Sequence, residues 1–481
     1  MMGQILLSLA IFVPVAGSFF LPLAGKLSSR FRNILAFVLV SVSFIASAAM
    51  LPSALSGGQA NYWQIELPLG LTFGFLGDGL AVFMAMVSSF IGAIIVLYSI
   101  GYMSHYNNQN EYYLLVVLFI GSMMGLVYST NLIFLYVFWE IAAIVCWRLI
   151  GFFREKETVK RADKAFLVTV FGALVMLIGF FLIYQQTGTF DMLQMKGVQI
   201  SDWAVALILV GIFAKSATLP LHTWLPDAGV APSPVTSLLH AAVLVKIGVY
   251  AYARFFLVNF AMNPVWHIVV PIVVGLSAIV SAGAAIIEKD IKRLIAYSTV
   301  SQLGFIFLGL STGSILGIAG GLLYILMHGL AKGGLFLCAG IVEQNAGTKD
   351  ITKMGGLIKV MPVTAVTFIF CAFSVMGLPP FGGFFSKYLV ISGAVSSEQA
   401  WIALAFIVGA ILTIIYLLRA FTMVFMGETK LAGFEDIREG SRTMLVSVSV
   451  LAGLSLAAGI LINYPSAFVQ TIVQQMAVVI R

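Results

Sequence analysis

Four lysines, one glutamate and two histidines sit where an apolar chain has no ordinary use for charge. Lys215, Lys246, Lys332, Lys387, Glu140, His240 and His328 all fall inside apolar runs. Each run is about 20 residues long, enough to cross a ~30 Å hydrocarbon core. An ionised group at the bilayer centre costs at least ~2.5–3.5 kcal/mol on insertion scales. Several together exceed the ~5–15 kcal/mol by which a domain is typically stable. The residue types point to proton transfer, because each can take up and release a proton. Burial disfavours the charged form of an amine and a neighbouring carboxylate restores it. A Glu–Lys couple whose separation changes is therefore a proton switch, and its two titrations belong to the pair.

Structural readings stand beside that one. Glu140, in Phe138-Trp139-Glu140-Ile141, can simply neutralise a lysine. Lys215 lies one turn before Pro220 and can cap carbonyls that the proline frees. Lys332 and His328 are four apart, share a helix face, and can make a polar contact with no further role. His240 can be a satisfied polar residue, and Lys246, six residues on, a packed one. Arg148 is close enough to a helix end to snorkel to the interface, and a structural role is also the first reading of Arg419.

The elements that must hold these groups follow from composition. Of 481 residues, 61% are hydrophobic and 9% charged, with mean hydropathy +1.06, whereas soluble domains carry about 25% charged residues. The apolar runs are continuous, which excludes the alternating ~10-residue strands of a barrel. The fold class is an all-α polytopic membrane protein. Candidate helices cover 4–24, 33–52, 79–102, 112–127, 131–151, 164–184, 203–219, 233–257, 268–287, 293–312, 315–342, 360–393, 401–427 and 443–463, about 14 spans in a single transmembrane domain, 1–481. The longest loops are 53–78, 185–202, 343–359 and 428–442. The tail 464–481 is expected against the bundle or in the interface. The run Ile5–Leu23 lacks a basic leader and is read as the first span rather than a signal peptide. Cys146, Cys338 and Cys371 read as apolar packing residues. The net charge of +7 is dispersed over short loops, which argues against nucleic acid as a partner.

Two spans are interrupted. The seventh runs into Leu219-Pro220, and the twelfth contains Gly377-Leu378-Pro379-Pro380-Phe381-Gly382-Gly383. Unwound backbone at membrane depth survives only inside protein or beside a wet cavity. Breaks five spans apart suggest two five-helix repeats, about 112–257 and 268–427. An odd number of spans inverts the second against the first, an arrangement that marks ion pathways. Lysine and arginine set the orientation. Loops on one side hold most of the 26 basic residues, and the other side holds only Lys196, Arg254 and Arg481. Both termini are expected outside, with the multi-pass chain in the cell's inner (plasma) membrane. Cysteine scanning checks this: a cysteine at 196 should label in intact cells, one at 160 only after permeabilisation. The reverse pattern would invert the topology.

The stretch Ala214-Lys215-Ser216-Ala217-Thr218-Leu219-Pro220-Leu221-His222-Thr223-Trp224-Leu225-Pro226-Asp227-Ala228, with Ala231-Pro232-Ser233-Pro234-Val235 and Leu239-His240-Ala241-Ala242, closely resembles the antiporter-like subunits of respiratory complex I, Mrp sodium/proton antiporters and energy-converting membrane hydrogenases. Asp78-Gly79-Leu80, Phe138-Trp139-Glu140, Lys292-Arg293-Leu294-Ile295-Ala296-Tyr297-Ser298-Thr299, His328-Gly329-Leu330-Ala331-Lys332 and Gly377-Leu378-Pro379-Pro380 extend the likeness over most of the chain. The resemblance implies fourteen helices in inverted repeats, with Glu140 and Lys215 as the helix-five and helix-seven pair. Lys246, Lys332 and Lys387 would continue a central polar axis. Lysine at 387, Lys246 and the chain length look most like the Mrp D-type subunit, and a long lateral helix is not expected. Arg148 departs from the aromatic or aliphatic residue expected there.

The favoured reading is a proton-translocating membrane subunit of a redox-driven complex, and the resemblance implies cytoplasmic uptake near helices seven and eight and release near the helix-twelve break. Neither cofactor nor metal is expected in this chain, and redox catalysis would lie in partner subunits. Expected partners are homologous antiporter-like subunits, a small helical subunit, the lipid bilayer, protons and Na+. A multisubunit Mrp-type Na+/H+ antiporter without a redox module is the alternative. Further ones are a free-standing solute carrier and a quinone-site subunit.

Overall fold

A hydrocarbon layer offers backbone N–H and C=O groups no water, so each must find its partner within its own segment. The computed structural model, which describes residues 1–56, 61–431 and 433–476, is accordingly mostly helical. Helices α1 (Met2–Ser18) and α2 (Leu21–Leu27) meet at a 55° bend where the sequence suggests one helix. Helix α3 (Ser29–Leu55) leads into an antiparallel hairpin, β1 (Tyr62–Glu66) and β2 (Thr72–Leu76), in the expected loop 53–78. Then come α4 (Gly79–Tyr102), α5 (Gln109–Tyr128), α6 (Leu132–Ile150) and α7 (Lys156–Thr187). Strand β3 (Val198–Gln199) precedes α8 (Asp202–Lys215), α9 (Trp224–Asp227) and α10 (Ser233–Ser237). Helix α11 (Leu244–Ala253) is bracketed by π turns at Leu238–Ala242 and Arg254–Asn259, and β4 (Phe260–Ala261) pairs in parallel with β3. The chain closes with α12 (Trp266–Ile287), α13 (Ile291–Ser311), α14 (Ile315–Ala346), α15 (Pro362–Met376), α16 (Gly382–Ser396), α17 (Ala400–Phe425), α18 (Arg442–Ile460) and α19 (Asn463–Met476).

Helix starts follow their sequence signals. The side chains of Asp78, Asn131, Ser201, Asp290 and Ser314 each accept a backbone N–H of the first turn. Gly188 and Gly347, at φ 74° and 68°, terminate the two 32-residue helices α7 and α14.

Among the described residues, eleven helices are long and apolar enough to span a membrane, or twelve if the bent first pair is one span. The difference from the fourteen expected lies in the interruptions. The 14 residues of α8 and the 15 each of α15 and α16 reach only about 21–23 Å at 1.5 Å per residue. Burial is arranged inside out. On α7, Leu167, Phe171, Leu174, Ile178 and Phe181 are all more than half exposed and form one stripe for lipid. Helices α4, α11, α13 and α14 are enclosed almost throughout. Helix α19 packs on α14, α4 and α3, which places the tail as far as Met476 against the bundle; 477–481 lie outside the described residues. The three cysteines are free and buried, as expected.

At one end, Asp227 receives Lys164 at 2.8 Å and Arg293 at 2.6 Å, tying α7 and α13 to the segment after the first break. Burial alone would raise the Asp227 carboxyl, but the hydrogen bonds from Lys164 and Arg293 outweigh it and hold it below the usual carboxylate range.

Candidate functional site

Two helices stop within the bundle. Helix α8 ends at Lys215, and Ala217 adopts a left-handed conformation (φ 51°) before Leu219-Pro220. The freed backbone groups are met from nearby: Trp224 Nε1 donates to the Ala214 carbonyl at 3.0 Å, and Leu219 N–H to Ser277 Oγ at 3.2 Å. Helix α15 ends at Gly377 (φ 80°), and α16 begins after Pro379-Pro380. A Cβ on Gly383 would stand 1.8 Å from the Ser374 carbonyl oxygen, so only glycine lets α16 fold back this closely on α15.

All four lysines lie in the interior; Lys387 is 4% exposed and the other three 0%. Lys215 Nζ donates to the Trp139 carbonyl at 3.3 Å and stands 5.1 Å from the centre of the Trp139 ring. Glu140 is next in the chain, yet it makes no ion pair with Lys215, and its Oε1 has no hydrogen-bond partner among the described residues. The expected couple is adjacent but open. Lys246 Nζ lies 3.1 Å from His328 Nδ1. Lys332 Nζ donates to Ser298 Oγ at 2.5 Å and to the Ile295 carbonyl at 3.3 Å. Lys387 Nζ donates at 2.7 Å to the Val375 carbonyl, one of the last four of α15 and so without an intrahelical partner. It also stands 4.5 Å from the Phe305 ring centre and 5.7 Å from that of Tyr324.

His328 and Lys332 share a face of α14 but not a contact; one serves Lys246 and the other Ser298. His240 stacks on Phe336 at 4.3 Å, and neither ring nitrogen has a partner among the described residues. The two arginines lie off this line, as their structural readings expect. Arg148 pairs with Glu111 at 2.6 Å, and Arg419 donates to the Glu288 carbonyl at 2.9 Å, beyond the end of α12.

The sequence did not disclose what joins Lys332 to the neighbourhood of Lys387. Ser298 Oγ lies 2.7 Å from Tyr416 OH. Gln302 Nε2 donates to Tyr416 OH at 3.3 Å and to Thr413 Oγ1 at 3.1 Å, and Tyr324 OH donates to Gln302 Oε1 at 2.6 Å. These neutral groups connect α13, α14 and α17 between two lysines. Ser298 lies inside the Lys292–Thr299 motif; nothing in the pattern marks Gln302 or Tyr416. Two basic residues read as lying at the membrane flanks are also buried. Lys292 (1% exposed) pairs with Glu343 at 3.0 Å, and Arg254 (6%) with Asp78 at 2.6 Å. Each closes a helix end on a carboxylate, and a carboxylate partner lets such a charge be buried.

A family model described as the transmembrane part of the NADH:quinone oxidoreductase/Mrp antiporters matches residues 129–413, more than half the chain. The chain belongs to this family. A second model, for the N-terminus of chain 5 of NADH-ubiquinone oxidoreductase (complex I), matches residues 63–113. An A-type Na+/H+ antiporter subunit from Alkalihalophilus pseudofirmus is 35% identical over 482 residues, 91% of this chain and 58% of that protein. An A1-type counterpart from Staphylococcus aureus is 32% identical over 505 residues, 98% of this chain and 62% of that one. The chain thus spans about three fifths of the length of the curated relatives it matches. Among solved structures, a chain of the Mrp complex from Dietzia sp. DQ12-45-1b superposes with a TM-score of 0.90 at 23% identity, covering 98% of both chains. A chain of respiratory complex I from Thermus thermophilus superposes with a TM-score of 0.87 at 23% identity, covering 99% of this chain and 100% of that one. At that identity the likeness is one of fold. The chain shares with these structures the fold of a polytopic helical membrane protein.

Proposed function

We propose that this chain is a proton-translocating antiporter-like subunit of a multisubunit Na+/H+ antiporter of the Mrp type. The observation that carries the reading is the interior line of exchangeable groups: Lys215 beside Glu140, Lys246 on His328, Lys332 on Ser298, and Lys387 at the second break. His240 belongs to the same line. Protons are taken up from the cytoplasm near α8 and α11 and released near the break between α15 and α16. Each broken pair counts as one span, giving fourteen. Segments 112–257 and 268–427 are then inverted repeats within one domain, with Pro220 and Pro379-Pro380 in matching places. Both termini face outward in the plasma membrane. Partners are other membrane subunits, homologous antiporter-like chains among them.

The redox-linked reading is now the weaker of the two. Relatives at 32–35% identity are Na+/H+ antiporter subunits, whereas the solved complex I chain is alike in fold at 23% identity. Those relatives are of the A type rather than the D type that the lysine pattern suggests. Everted vesicles containing the gently purified complex decide between the readings. Added Na+ should dissipate an imposed pH gradient with no electron donor present. Proton movement that appears only with a reductant, from a complex carrying an iron–sulfur arm, would restore the redox reading.

A further inference from the structure

From Lys246 a row of side chains runs along α11 and ends in a cation. Lys246, Tyr250 and Arg254 follow one another at four-residue intervals, so they share one face as α11 runs toward its second π turn. Arg254 makes its contacts at the far end of that row. Nη1 and Nη2 donate to the two oxygens of Asp78 at 2.6 and 2.7 Å, and Nε donates to Tyr250 OH at 2.9 Å. Asp78 is fixed in turn, because it caps α4 through the Ala81 N–H at 2.9 Å. Tyr250 OH donates to the Val127 carbonyl, not toward Lys246.

On the other side of this pair is open space. A pocket of about 10 Å³, near the room one water needs, touches Asp78, Arg254, Tyr128 and Lys196. Beyond it lies a cavity of about 620 Å³ whose lining among the described residues includes Tyr62, Gln64, Asp78, Asp191, Gln194 and Lys196. A vestibule with a half-polar lining therefore reaches to within one side chain of the row that leads to Lys246. What stands between is a guanidinium, which donates hydrogen bonds, accepts none and does not deprotonate in proteins. It cannot relay a proton, and its fixed charge repels one, as arginines do in pores that exclude protons.

We propose that Arg254, clamped by Asp78 and Tyr250, is an electrostatic seal that keeps protons on the central line from leaving through the vestibule at the β1–β2 hairpin. The seal confines release to the break before Lys387, and in that respect it rests on the proposed proton line. It is a specificity device for the path, not a carrier on it.

The test is passive proton flux in proteoliposomes of the assembled complex, with a trapped pH dye, a potassium diffusion potential and no Na+. Arg254→Gln alone leaves Asp78 charged and unpaired, so Arg254→Gln/Asp78→Asn is made as well, since it keeps a neutral hydrogen-bonded pair. The double variant should leak protons on the order of tenfold or more faster than wild type, while Arg254→Lys, which keeps the charge, should stay tight. An assembled double variant with wild-type leak overturns the seal. Adding Lys246→Leu to the double variant separates the two readings. Loss of the leak supports a seal on the lysine line. A leak that persists leaves a seal at Arg254 but removes Lys246 from the path it closes, and so counts against the proposed line.

Discussion

Lys387→Ala should abolish proton transfer while the complex still assembles. Lys387 holds an otherwise orphan carbonyl, Val375 O, between the aromatic faces of Phe305 and Tyr324. No carboxylate pairs with it among the described residues, so alanine strands no opposite charge, which is the usual cause of severe loss on breaking a buried pair. What alanine removes is the Val375 carbonyl's hydrogen bond and the proposed proton site, and a positioned proton donor is worth ~10²–10⁴-fold in rate. Lys387→Glu retains an exchangeable proton in the same place. Its surroundings offer acceptors, so the carboxyl can replace the lysine's hydrogen bond only while protonated, and partial flux is expected. Na+-dependent pH-gradient collapse in everted vesicles measures both variants. Equal, wild-type-like flux from the two would take Lys387 off the path.

Glu140→Gln should cost on the order of a hundredfold in proton flux and almost nothing in assembly. The carboxylate makes no ion pair, and its Oε1 has no partner among the described residues. An isosteric amide therefore breaks no ion pair and chiefly removes charge. That separation is useful, because the variant tests the electrostatic coupling of Glu140 to Lys215 without disturbing the packing of α6 on α7. Complex yield and the pH-gradient assay together give the result. Near-normal flux with normal yield would reduce Glu140 to a structural charge.

The sequence disclosed the groups whose cost in lipid is highest. Lys215, Lys246, Lys332, Lys387 and Glu140 stand out because an ionised side chain at that depth demands a reason. Ser298, Gln302, Thr413, Tyr416 and Tyr324 did not, because a hydroxyl or amide in an apolar run is ordinary and betrays its role only through its neighbour. Arg254 and Lys292, read as charges at the membrane flanks, were missed for a different reason. Their partners Asp78 and Glu343 are 176 and 51 residues away, and no local pattern encodes pairs so remote. The prolines announced both breaks, but hydropathy could not show that the segments they leave are too short to span alone. The π turns around α11 left no trace, since one extra residue in a turn hardly changes the periodicity.

Lys215, Lys332 and Lys387 each hold a backbone carbonyl. A carbonyl oxygen has no proton to give and none to take at any working pH, so these contacts park the ammonium groups rather than connect them. Each lysine must swing away from its carbonyl before it can hand anything on. On the proposed proton line, transport built on such parking would advance by discrete side-chain movements, one charge at a time, and its pace would follow how readily these three lysines let go.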